Sequence, residues 1–173
     1  VNNERLENTM CILKDAAYNF CYPEPRRSKM FLQFIGTSGT GKSLLDWVIF
    51  LICVAHGINC GVTYESQRLL YVANDNKLHQ CSFENSEPNR KTLFAIPEFQ
   101  GEPFVNMFDL AGNCVADGVD HRATNKAFYS HLALGFKHPD CPPKQLAISF
   151  YSSDNTVKIG SDFYKVHQFP SSR

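Results

Sequence analysis

Apolar residues recur along the chain in two rhythms, and each predicts a different element. Leu6, Met10, Leu13, Ala17 and Phe20 return at intervals of three and four, so residues 4–19 predict an amphipathic helix that Cys21-Tyr22-Pro23-Glu24-Pro25 brings to an end. Short apolar runs at 30–35, 59–64, 104–109 and 144–151 predict strands. Between the first two lies a run of helix length, from Leu44 to His56, which stops at Gly57, a residue suited to a helix C-cap. The runs 68–73 and 77–83 flank Asn74-Asp75-Asn76 and predict a β-hairpin. Thr92 to Ile96 adds a short strand closed by Pro97, and Ala123 to Leu134 reads as a second long helix behind Asp120-His121-Arg122. Polar or turn-rich connections fill 84–91, 112–118 and 135–143.

The order of strands and helices predicts an α/β fold in three layers, with a mostly parallel sheet, helices on both faces and the hairpin as an insertion or edge extension. Residues 1–27 form an N-terminal helix and linker, and residues 28–173 form the main domain. The basic run Arg26-Arg27-Ser28-Lys29 joins them and reads as a solvated linker before a phosphate or nucleic-acid contact, because three charges do not define a patch.

Composition narrows the class. A chain of 173 residues with 43% hydrophobic and 20% charged residues can bury a core and is not a disordered tail. A formal net charge of zero offers no general basic surface for nucleic acid, so such a role would need a local patch or a missing domain. The seven cysteines are odd in number and contain no C-x-x-C pair, which argues for reduced thiols used as small apolar residues rather than a zinc site or disulfide framework. The longest apolar run is too short to span a bilayer, so no membrane partner is expected. The chain begins with Val1, which suggests a fragment of a longer protein.

Chemistry enters between the first strand and its helix. Gly36-Thr37-Ser38-Gly39-Thr40-Gly41-Lys42-Ser43 fits the phosphate-binding pattern G-x-x-x-x-G-K-[ST], and its flanks supply the strand and helix that the pattern requires. Glycines let the backbone turn its N–H groups inward, and the helix start adds its positive dipole end. Lys42 is then the point charge for the β- and γ-phosphates. Ser43 becomes a Mg²⁺ ligand through its hydroxyl.

Asp109 ends an apolar strand and is the candidate to hold the metal through water; a turn former or helix cap is the alternative. Leu110 follows it where many ATPases have the Glu that activates water, so binding is better supported than hydrolysis. Asn155, in the polar Ser152-Ser153-Asp154-Asn155 after the last buried strand, is a candidate γ-phosphate sensor or a turn residue. Arg122 reads first as a solvated residue at a helix start. Arg90 and Arg122 stand alone, which ranks a small-molecule kinase last.

The order of segments resembles the phosphate-loop NTPase domain of the Crinkler effectors of oomycetes and fungi and the retrotransposon-hot-spot proteins of trypanosomes. The resemblance rests on residues 34–43, the apolar helix, Gly61-Val62-Thr63-Tyr64-Glu65-Ser66, the strand ending at Asp109, and Ser149-Phe150-Tyr151-Ser152-Ser153-Asp154-Asn155 followed by Phe163-Tyr164-Lys165. It implies ATP or GTP binding at residues 36–43, a metal role for Asp109, a module within a longer chain, and action inside a cell, often in a nucleus, after secretion into a host in some members. No nuclease motif is visible, so nuclease activity is not implied for this chain.

Overall fold

The computed structural model describes residues 7, 11, 29–36, 41–64, 67–82, 94, 96–99, 101–109, 144–152 and 164–168. Seven strands form one mixed sheet: β1 (Lys29–Gly36), β2 (Cys60–Tyr64), β3 (Gln67–Val72), β4 (Lys77–Ser82), β5 (Phe104–Asp109), β6 (Gln145–Ser152) and β7 (Tyr164–Gln168). Their spatial order is β4-β3-β2-β5-β6-β1-β7. The pairs β1–β6, β1–β7, β2–β5 and β5–β6 are parallel, whereas β2–β3 and β3–β4 are antiparallel. The hairpin therefore extends one edge of a parallel sheet.

One helix, α1 (Lys42–Ala55), packs on β2, β5 and β6. The sequence explains where it stops. Gly57 takes φ +64°, its N–H donates to Val54 O at 3.1 Å, and the Ile58 N–H donates to Cys53 O at 2.9 Å. These two bonds close the helix in the left-handed turn that glycine makes without strain.

Strand alternation sorts side chains onto two faces. Under α1 lie Met30, Leu32, Phe34, Cys60, Val62, Val105, Met107, Leu146, Ile148 and Phe150, joined by Ile49, Phe50 and Cys53 of the helix. Phe34 and Phe150 stack there with centroids 5.4 Å apart. The other face carries Phe104 together with Phe31 and Phe108, and Phe94 packs edge-on against the last two; buried polar residues interrupt it: Gln33, Thr63, Asn106, Gln145 and Ser149. Central strands buried on both sides account for the nearly continuous apolar runs of β1, β5 and β6.

Some expectations hold and others change. The sheet is mixed and mostly parallel, and α1 is the helix seen against it among the described residues; Glu7 and Cys11 are helical and exposed, but the rest of the helix expected at 4–19 and the one expected at 123–134 lie outside them. Phe94 and Ile96 are not in a strand. They are irregular and buried, because an apolar pair can fill the core without joining the ladder. Cys53 and Cys60 are buried free thiols as expected, while Cys11 and Cys81 are exposed free thiols. Cys60 is pushed well up by its hydrogen bond with Cys53 and then by burial, so it is inert as a nucleophile. No helix among the described residues is long and apolar enough to cross a membrane.

Candidate functional site

The parallel strands β1, β2, β5, β6 and β7 run the same way, so Gly36, Tyr64, Asp109, Ser152 and Gln168 end on one edge of the sheet. In an open α/β sheet this is the edge where ligands bind. Gly36 lies opposite Ser152 in register, and α1 begins at the same edge with Lys42.

Gly41 caps the helix with φ +87° and ψ 14°, and its carbonyl accepts from the Leu45 N–H at 3.0 Å. No side chain caps this end. Only glycine takes this backbone readily.

Lys42, the first helical residue, is 5% exposed, and its ammonium Nζ donates to Gly36 O at 3.0 Å. The two ends of the loop are thus tied together by the lysine that the sequence assigns to phosphates. Ser43 is exposed. Asp109 is buried on the α1 side of the sheet, level with Phe150 and Phe34.

The chain also brings an acid that sequence reading passes over. Asp46 lies one turn after Lys42 and is 0% exposed. Neither of its carboxylate oxygens has a hydrogen-bond partner among the described residues. Burial, and after it the charge of Asp109, push its carboxyl well above the ordinary aspartate range. A signal was present in the sequence. Asp46 is the one charged residue between Ser43 and His56 in an otherwise apolar helix, and it stands at i+4 from Lys42.

Of the residues read from sequence, Gly36, Gly41, Lys42, Ser43 and Asp109 are gathered at this edge. Thr37, Ser38, Gly39, Thr40, Leu110, Arg122 and Asn155 lie outside the described residues, as do Glu65, Ser66, Ser153 and Asp154. Among the described residues no group of three or more His, Cys, Asp or Glu is placed to hold a metal. A separate cavity of about 130 Å³, lined by Asn59, Val72, Asn74, Asp75, Glu98 and Phe99, lies at the opposite end of β2.

A polyphosphate at this edge would meet a helix N-terminus, a buried ammonium and a carboxylate at a strand end. Neither a protein-family model nor a curated protein matches the chain.

Proposed function

We propose that residues 36–43 hold the phosphates of a nucleoside triphosphate, ATP or GTP, with Mg²⁺, and that the chain is the regulatory NTPase module of a longer, effector-type protein like those it resembles. The observation that carries this reading is Lys42. A lysine almost never stays buried without a reason, and this one sits at a glycine-capped helix start with its ammonium on the first carbonyl of the loop. A phosphate oxygen is a stronger acceptor than that carbonyl and would take its place.

Oxygen donors at the site fit a hard cation. Ser43 offers a hydroxyl and Asp109 a carboxylate, and a counter-charge beside the unpartnered oxygens of Asp46 would offset their burial, which supports the reading. When bound, Mg²⁺ neutralises charge on the β- and γ-phosphates. The register of Ser152 beside Gly36 starts the segment toward Asn155 next to the loop, which supports Asn155 as a γ-phosphate sensor. The nuclear or host-cell setting rests on the resemblance alone.

A second reading is a nucleotide-gated interaction module without turnover. Leu110 after Asp109 favours it, since the position for a water-activating Glu is apolar. Calorimetric titration with nucleotide and Mg²⁺ separates the two. Lys42→Ala is expected to weaken binding roughly tenfold or more, the worth of a hydrogen bond from a charged donor. Phosphate release by the wild type that stops in Asp109→Ala makes the module an enzyme. Binding without release selects the gated module, and unchanged binding in Lys42→Ala overturns both.

A further inference from the structure

We propose that Asp46 and Asp109 form a two-carboxylate site for a divalent cation beneath the phosphate loop, with Asp46 as a ligand that the loop motif does not include. The proposal rests on the reading of this edge as a phosphate site, but it concerns a cation that binds before any nucleotide.

Position brings the two acids together. Four helical residues carry Asp46 about 6 Å below Lys42 along the α1 axis. On the sheet, Asp109 pairs with Phe150, which pairs with Phe34. That row lies two strand residues, about 6.6 Å, below Gly36. Asp109 shares its face with Met107 and Val105, the face that α1 covers, so helix and strand acids sit at one depth on one side of the sheet.

Burial makes the pair costly. A carboxylate withdrawn from water stays ionised only with hydrogen bonds or a counter-charge. Asp46 keeps both oxygens without a hydrogen-bond donor among the described residues, although it is fully buried. A structural carboxylate in a core is normally hydrogen-bonded on both oxygens. One left with four free lone-pair positions, facing a second acid, is a ligand set in waiting.

The chemistry selects the ion. Hard oxygen donors without His or Cys favour Mg²⁺ or Mn²⁺ over zinc, and Mg²⁺ keeps most of its waters while taking one or two carboxylates. Ser43, three residues before Asp46, is its neighbour along the helix and can add its hydroxyl.

The test uses the full chain without nucleotide. Mn²⁺ binding is followed by the loss of the free-ion signal in electron paramagnetic resonance, and Mg²⁺ by the shift of thermal midpoint. Wild type is expected to bind Mn²⁺ and to melt several degrees higher in millimolar Mg²⁺ than in chelator. Asp46→Asn is expected to lose roughly tenfold or more in Mn²⁺ affinity. Its midpoint should no longer respond to Mg²⁺, and in chelator it should melt above the wild type because one buried acid is gone. Asp46→Ser repeats the measurement with a smaller neutral side chain, with circular dichroism checking that each variant is folded. Wild-type Mn²⁺ affinity in both variants overturns the proposal, and so does the absence of Mn²⁺ binding in the wild type. Mn²⁺ binding by a chain that takes no nucleotide keeps the cation site and removes the phosphate reading; nucleotide binding with no Mn²⁺ site does the reverse.

Discussion

The two faces of the sheet solve burial differently. Beneath α1 every row is apolar until the edge at which the parallel strands end, where Asp109 and Asp46 appear. On the opposite face buried polar side chains alternate with aromatic ones: Asn106 lies between Phe104 and Phe108, and Gln33 between Phe31 and Ile35. Several of the polar groups there meet each other, while Ser149 Oγ is buried with no hydrogen-bond partner among the described residues. Asn106 Nδ2 donates to Gln145 Oε1 at 2.9 Å, Gln145 Nε2 to Phe94 O at 3.4 Å, and Arg68 Nε to Thr63 Oγ1 at 3.2 Å. One face is held by contact area, and the other adds donor–acceptor pairs to its aromatic contacts. The difference shows where unsatisfied polarity carries information. Amides that pair across strands are structural, while a buried carboxylate with neither oxygen paired, as at Asp46, is the costlier exception.

Substitutions at matched depths break this contrast. Phe34→Ala removes the ring stacked on Phe150 and is expected to cost about 3–5 kcal/mol in urea denaturation. On the other face, Asn106→Leu keeps the volume but removes the donor that Gln145 Oε1 accepts from, for an expected loss of about 1–3 kcal/mol. Adding Gln145→Leu should recover part of that loss. If Asn106→Leu proved neutral, the polar face would be held by area as well, and the contrast would fail.

The third prediction concerns pH in chelator. Asp46 has a folded-state pKa raised by burial and by Asp109, with Lys42 the other charged group beside it on α1. Between the ordinary aspartate value, about pH 4, and that raised value, the folded chain holds a proton that the unfolded chain has released. Stability attributable to Asp46 is therefore full below about pH 4 and falls as pH rises through the folded pKa, by at most about 1.4 kcal/mol per pH unit. Subtracting the pH profile of Asp46→Asn from that of the wild type isolates this slope. A flat difference would mean that Asp46 has found a partner.

Much of this was legible from residue pattern, for physical reasons that vary by element. The runs of β1, β5 and β6 stand out because both sides of a central parallel strand are buried, and the hairpin stands out because Asn76, at φ +51°, takes a conformation that Asn tolerates. Gly57 and Gly41, at φ +64° and +87°, announce backbone that other residues avoid. By contrast Tyr164-Lys165-Val166-His167-Gln168 carries too much polarity to read as a strand by itself, yet it pairs in parallel with β1 at the sheet's edge. Phe94 and Ile96 have strand composition but pack without a ladder. Asp46 escaped because a lone acid in an apolar helix reads as its solvent side, and only the packing of α1 on β5 turns it inward.

The bond from Lys42 to Gly36 has a consequence for how fast and how tightly the edge can take a ligand. A long exposed lysine must shed water and rotamer freedom, up to about 2 kcal/mol of the latter, when it first meets an anion. Here both losses occurred when the chain folded. Under the proposed reading, arrival of a phosphate would be a swap of one oxygen acceptor for another, so the lysine's contribution to affinity would be preorganised and the same bond would close again behind a departing ligand.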